Sequence, residues 1–229
     1  MTVVLTALLG VLSGPFLHTL AVQAGADRPF QPLTSACPRC QHIAWTPRCG
    51  CGRTRWRELG TALLAAVGMG SVAYAVGPTP VLPAHLLMVA VTTVLVVTDF
   101  DHFRIANRIL YPGTALCLTL LAAGAVADGR VNDLLRGVVG AIAYLLLFLL
   151  VYLAARGQGF GFGDVKLAFV LGLFLAFHSW QVASRGLFIT ALLGGVPAMA
   201  LLLMGRSRTS LLPYGPPLIL GTWAAIAFM

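Results

Sequence analysis

Charge is scarce in this chain. Only 10% of its 229 residues are charged, and Asp and Glu together number seven, whereas 59% are hydrophobic. A soluble domain needs far more polar side chains than this to cover its surface, so the composition excludes the soluble globular class. We therefore expect residues 1–229 to form a single all-α domain, a polytopic integral membrane protein.

Long polar stretches are also few, so hydrophobic runs follow one another with short connections. A helix needs about 20 residues to cross roughly 30 Å of hydrocarbon, and this length therefore holds about eight spans. The first run lacks a basic N-terminal region and is longer than the apolar part of a usual signal peptide, which predicts a retained span. The predicted spans are 2–24, 59–77, 81–98, 109–127, 137–155, 165–182, 186–204 and 212–228.

Basic residues are not grouped on any face, which argues against a nucleic-acid partner despite the net charge of +8. If the chain crosses the bilayer at every run, twelve Lys and Arg fall on one side and three on the other. Short-loop Lys and Arg mark the cytoplasmic side. The sequence thus predicts a multi-pass protein of the cell membrane with both termini outside. The three basic residues on the outer side are Arg130, Arg136 and Arg185.

Four of the five cysteines lie in one predicted cytoplasmic loop, residues 25–58, as Cys37-Pro-Arg-Cys40 and Cys49-Gly-Cys51. Disulfides are rare in the reducing cytosol. Four thiolates suit a tetrahedral zinc ion, and a structural metal would stabilise a loop too short to have a core of its own. Unliganded thiols or a redox pair remain the alternatives. The fifth cysteine, Cys117, lies in a span and is interpreted as a packing residue.

Two aspartates lie where a hydrophobic run meets a predicted cytoplasmic loop. Asp99 follows the third run, and Asp164 follows the glycine-rich stretch Gly157-Gln-Gly-Phe-Gly161-Phe-Gly163 at the start of the sixth. Ionisable residues are costly near the bilayer and tend to be functional. Because both face the same side of the membrane, we expect the two carboxyl groups to converge. The glycines would allow close backbone approach and positive φ angles, forming a gate or a strand for substrate.

A convergent aspartate pair can hydrolyse a peptide bond without a metal. At about 4 Å and an effective dielectric constant near 20, two carboxylates repel each other by about 4 kcal/mol, so one keeps a proton while the other stays charged. The charged group can act as general base on a water, and the protonated group can donate to the scissile carbonyl. Sequence alone leaves open which aspartate starts as the base.

Two motifs resemble those of the type IV prepilin peptidases, which are bacterial GxGD aspartyl membrane proteases. Gly161-Phe-Gly163-Asp164-Val-Lys166-Leu167 looks like their G-x-G-D-x-K-L signature. The segment that begins at Asp99 and ends at Asn107 is similar to their other aspartate motif. Ser13-Gly-Pro-Phe-Leu17 and Arg55-Trp-Arg-Glu58-Leu59 resemble the family's first span and the entry to its second.

The resemblance implies that Asp99 and Asp164 are catalytic and cut the basic leader from prepilins or pseudopilins at the cytoplasmic face of the inner membrane. Relatives with a four-cysteine loop also methylate the new N-terminal amine with S-adenosylmethionine, which suggests that cofactor here. Candidate substrate or gate residues are Gly161, Gly163, Lys166, Asp101, Asn107 and Glu58. For Asp101, Lys166 and Glu58, solvation of a helix end is an equally good interpretation.

Two other classes of function fit parts of the sequence. A proton-coupled transporter also uses intramembrane aspartates and glycine-broken helices, but it places its carboxylates near the bilayer midplane and commonly shows internal repeats. The sequence shows neither feature. A metal-dependent assembly factor would use the cysteine loop and leave the aspartate pair unexplained.

Overall fold

The computed structural model describes residues 1–25, 53–155, 161–203 and 214–229. Within these ranges the chain forms eight α-helices joined by short connections. The predicted all-α, polytopic membrane fold is confirmed. The helices are α1 Thr2–Gly25, α2 Arg53–Val76, α3 Leu82–His102, α4 Asn107–Ala127, α5 Val131–Ala154, α6 Phe162–His178, α7 Trp180–Leu203 and α8 Gly215–Ala227.

Five of these helices, α1 to α5, are long and apolar enough to cross a membrane. Helix α8 is apolar but has only 13 residues. Prolines lie inside α1 at Pro15 and inside α4 at Pro112 without ending either helix. Neighbouring helices and hydroxyl side chains commonly compensate for prolines in membrane helices.

Several helix ends differ from the predicted ones because hydropathy stops at the first polar residue whereas the helical hydrogen bonds continue. Helix α3 runs on to His102, which places Asp99 and Asp101 inside it. Helix α5 begins at Val131, six residues before the predicted start at 137. Helices α6 and α7 are separated by Ser179 alone, whose hydroxyl accepts the Val182 N–H at 3.1 Å. Serine is a favoured N-cap, so it starts α7 earlier than the predicted residue 186.

Small residues allow two helix pairs, α1 with α2 and α5 with α6, to pack closely along their lengths. A Cβ atom added at Gly10 or Gly14 on α1 would lie 2.6 or 2.3 Å from the Cα atom of Ala66 or Ala62 on α2. A Cβ atom at Gly140 on α5 would lie 2.1 Å from a Cβ atom on α6. Small residues at helix interfaces let backbones approach in membrane proteins, where van der Waals packing drives association.

Helix α8 connects the parts of the bundle that carry the two aspartates. It packs against α2, α3, α6 and α7. Helices α3 and α6 contact each other directly at the end away from the aspartates, where His85 on α3 forms a 2.9 Å hydrogen bond with His178 and packs edge-on against the Phe174 ring. The C-terminal end of α3 and the N-terminal ends of α6 and α8 therefore meet at one end of the bundle.

Candidate active site

Asp99 lies in the last turn of α3 and is 5% exposed. Its Oδ2 atom accepts a hydrogen bond from the backbone N–H of Gly215, the first residue of α8, at 3.1 Å. Helix α3 ends shortly afterwards at Phe103, which adopts a left-handed conformation with φ of 51° and donates its N–H to the Asp99 carbonyl. The turn directs the chain into the connection to α4.

Asp164 lies in the first turn of α6 and is 6% exposed. Its Oδ2 atom accepts the N–H of Gly161, the N-cap residue, at 3.1 Å, and its own N–H donates to the Gly161 carbonyl at 3.0 Å. This is the arrangement in which an acidic residue in the first turn reaches back to the N-cap. A carboxylate there is also stabilised by the positive end of the helix dipole.

The two glycines beside Asp164 allow close approach, as predicted, but the expectation of positive φ is wrong for both. Gly161 is extended with φ of −83°, and Gly163 is helical; the described glycines with positive φ are Gly77 and Gly129. A Cβ atom at Gly163 would lie 2.9 Å from the Cβ atom of Ile105, in the connection between α3 and α4. Gly163 therefore brings the start of α6 against the segment that follows Asp99.

The two carboxyl groups lie at the same end of the helical bundle. Asp99 is in the last turn of α3, Asp164 is in the first turn of α6, and the charge of Asp99 acts on Asp164. The charge of Asp164 also acts on the phenol of Tyr214, the N-cap residue of α8. Burial, and then this charge, raise the pKa of Tyr214, so its hydroxyl stays protonated and able to donate. Two acidic groups and one phenol thus share a buried site.

The other candidate residues are distributed around this site. The Lys166 ammonium donates to Asn107 Oδ1 at 3.2 Å and lies 5.2 and 5.1 Å from the ring centroids of Tyr111 and Phe162. Glu58 lies in α2, partly buried and engaged with a neighbour.

Asp101 forms an ion pair with Arg57, at the start of α2. The predicted zinc ligands Cys37, Cys40, Cys49 and Cys51 lie outside the described residues, so the structure does not test them.

Sequence reasoning missed Tyr214 and Gly215. The last span was predicted to begin at residue 212 and carried no functional candidate. A signal was available, since Tyr214-Gly-Pro-Pro217 begins a hydrophobic run on the predicted cytoplasmic side, which is the side of both aspartates. Nothing in the sequence, however, joins this run to Asp99, which lies 116 residues earlier.

The family model described as the type IV leader peptidase family matches residues 86–203, which include both aspartates. The chain belongs to this family. The resemblance inferred from the two aspartate motifs is thereby confirmed, and so is the prediction that the protein is a peptidase. The comparisons give no support to the transporter alternative.

Individual relatives agree with this assignment. The prepilin leader peptidase/N-methyltransferase of Stutzerimonas stutzeri is 27% identical over 228 residues, which cover 92% of this chain and 77% of the relative. The protein of the same name from Aeromonas salmonicida strain A449 is 31% identical over 218 residues, covering 84% of this chain and 70% of the relative. No solved structure matches this member of the family.

Proposed function

We propose that this protein is a membrane aspartic endopeptidase that removes the basic leader from type IV prepilins or pseudopilins. The observation that carries the proposal is the placement of Asp99 and Asp164, two buried carboxyl groups from different helices, at one end of the bundle, where the charge of Asp99 acts on Asp164. The names of the matched relatives, prepilin leader peptidase/N-methyltransferase, supply the substrate class.

The paired carboxyl groups can perform both proton transfers of peptide hydrolysis. Like charges held close together disfavour double ionisation, so one carboxyl group keeps a proton and the other stays charged. The charged group takes a proton from a water that attacks the scissile carbonyl, and the protonated group donates to the carbonyl oxygen. Because the two groups titrate together, the pair acts as one unit in both steps.

The position of the pair suits a substrate that is itself anchored in the bilayer. Asp99 lies at the C-terminal end of one helix and Asp164 at the N-terminal end of another, so both occupy the edge of the helical bundle. We place this edge at the cytoplasmic face of the inner membrane because the predicted loops there hold most of the Lys and Arg. A substrate helix with a charged cytoplasmic leader would present its cleavage site at this depth.

Three residues beside the aspartates are proposed to guide the substrate. The Gly161 backbone is extended and exposed, so it offers a strand-like edge to a substrate chain. Gly163 sets the spacing between α6 and the segment after α3. Lys166, two residues after Asp164, is partly buried, and its ammonium lies 5.2 and 5.1 Å from the ring centroids of Tyr111 and Phe162.

Single replacements of the two aspartates test the proposal. Asp99→Asn and Asp164→Asn keep the side-chain volume and remove the acid–base group, so cleavage of a prepilin in membranes should fall by about 100-fold or more. Asp133→Asn is a matched control, because Asp133 pairs with Arg130 and Arg136 far from the site at the start of α5. Full cleavage by either active-site variant would disprove the aspartate-pair mechanism.

Zinc and methylation are additional proposals that rest on the sequence and on the relatives' names. We propose that Cys37, Cys40, Cys49 and Cys51 hold a structural zinc ion and that the protein also methylates the cleaved substrate with S-adenosylmethionine. Metal analysis of the Cys37→Ser and Cys49→Ser proteins should show loss of about one equivalent of zinc, as expected for a four-cysteine site. Transfer of a labelled methyl group to cleaved pilin tests the second activity, and absence of label would refute it.

A further inference from the structure

The N-terminal end of α8 contacts the aspartate of a different helix. The Gly215 N–H to Asp99 Oδ2 hydrogen bond, 3.1 Å long, is buried. A Cβ atom at Gly215 would lie 2.8 Å from that oxygen, which is closer than real Cβ contacts allow, and 3.3 Å from Asp99 Cγ, which is a tight contact. Any side chain at position 215 must therefore displace the Asp99 carboxyl group or the start of α8.

The bond also offsets an electrostatic disadvantage of Asp99. A carboxylate in the last turn of a helix is disfavoured by the negative end of that helix's dipole. The first N–H groups of a helix have no partner within it, and Gly215 N–H is one of these. Asp99 accepts this N–H, which caps the start of α8. The same hydrogen bond stabilises the charged form of Asp99, which the dipole of α3 by itself would disfavour.

Tyr214 extends the same end of α8 towards the other aspartate. The charge of Asp164 acts electrostatically on its phenol. Its ring packs against α7 at Gly194, where an added Cβ atom would lie 2.6 Å from Cε2 and 3.2 Å from the hydroxyl oxygen. Two consecutive residues at the start of α8 thus interact with the aspartates: Gly215 donates to Asp99, and the N-cap residue Tyr214 is influenced by the charge of Asp164.

We propose that Tyr214 and Gly215 are positioning residues that set the relative placement of the two catalytic aspartates. Helices α3 and α6 contact each other at the far end of the bundle, through His85 and His178, whereas α8 packs against both helices and begins beside Asp99. At the aspartate end, the separation of the two carboxyl groups therefore depends on α8. This inference rests on the proposed aspartic peptidase function.

The test measures the kinetics of prepilin cleavage by two single variants of the full-length protein, each with one substitution at the start of α8. Gly215→Ala should lower kcat by about 100-fold while KM stays within about twofold of wild type, because displacement of a catalytic group by about 1 Å affects the chemical step. Tyr214→Phe keeps the ring against Gly194 and removes the hydroxyl, so a smaller fall in kcat, about tenfold, is expected at unchanged KM.

Gly221→Ala is the matched control for damage to α8 itself. A Cβ atom there would lie 2.4 Å from Thr190 Oγ1 on α7, so the substitution disturbs the packing of the same helix away from the aspartates. Below its melting temperature this variant should keep kcat near the wild-type value. Equal falls in kcat for Gly215→Ala and Gly221→Ala would overturn the proposal, because α8 would then matter only for packing.

A double-mutant cycle on the melting temperature separates this inference from the proposed function. Gly215→Ala should lower the melting temperature in the wild-type background and have a much smaller effect in the Asp99→Ala background, where the carboxyl group is gone. Equal effects in both backgrounds would refute the contact. If Asp99→Asn cleaves fully, the peptidase mechanism fails. If Asp99→Asn is inactive and Gly215→Ala is fully active, only the positioning role fails.

Discussion

Arg57 on α2 forms an ion pair with Asp101 on α3, only two residues after Asp99 in the same helix. Residues two apart on a helix do not face each other. Asp99 therefore points to α8 and accepts the Gly215 N–H, whereas Asp101 points to α2. The two aspartates of the same short motif have different neighbours, and the pair with Arg57 indicates a structural role for Asp101.

We expect Asp101→Asn to keep most of the cleavage activity. The pair is partly exposed, with side-chain exposures of 47% for Arg57 and 19% for Asp101. Exposed pairs contribute about 0–1 kcal/mol, so the free energy of unfolding should fall by about 1 kcal/mol at most. Prepilin cleavage and thermal unfolding in detergent measure the two effects, and loss of activity as deep as that of Asp99→Asn would assign Asp101 to the catalytic machinery.

Substitution of Gly14 should destabilise the contact between α1 and α2. A Cβ atom there would lie 2.3 Å from the Cα atom of Ala62, a backbone atom that cannot move by itself. Overpacking of a tight interface costs about 1–3 kcal/mol, and we expect Gly14→Ala to lower the free energy of unfolding by that amount. Gly60→Ala on α2 is the control, since no atom lies within 4 Å of its added Cβ. Equal melting temperatures for the two variants would contradict this interpretation.

Arg136 should stabilise the C-terminal end of α6. Its guanidinium donates to the carbonyl oxygens of Ala176, Phe177 and His178 at 2.5–2.7 Å. Carbonyls at a helix end lack intrahelical partners, and hydrogen bonds from a charged donor contribute about 1.5–3 kcal/mol.

We therefore expect Arg136→Gln to lower the free energy of unfolding by about 2 kcal/mol. Its kcat should not change below the melting temperature, because Asp164 lies at the other end of α6. Arg185→Gln is the control, since the described contact of Arg185 is a single exposed hydrogen bond of 3.4 Å to Phe228. A melting temperature equal to that of wild type would rule out the capping role.

Lys166 should affect substrate binding more than the chemical step. Its ammonium is held by Asn107 and two aromatic rings and is partly buried, two residues after Asp164. We expect Lys166→Met to raise KM several-fold with kcat within about twofold, which is the pattern for an interaction made equally in the ground and transition states. Lys166→Arg, which keeps the charge, should restore part of the affinity. A fall in kcat at constant KM would instead place Lys166 in the chemical step.

The sequence by itself determined the membrane class, the eight helices of the described ranges and the choice of Asp99 and Asp164 as candidate catalytic residues. These features follow from local rules: hydrocarbon demands long apolar helices, and a carboxyl group beside them is costly enough to stand out. Helix ends were less well predicted, because a polar residue such as Asp99 or Asp133 can continue a helix that hydropathy would end. The zinc loop stays a prediction, since its cysteines lie outside the described residues.

Only the tertiary structure decided what surrounds the aspartates. The pairing of Asp101 with Arg57, the capping of α6 by Arg136 and the contact of Gly215 with Asp99 join residues 40 or more positions apart. Such contacts depend on how the helices pack, and one sequence carries no local pattern for them. Helix α8 appeared in the sequence as one more apolar run, but in the fold it packs against both α3 and α6, and its first residue, Gly215, donates to Asp99.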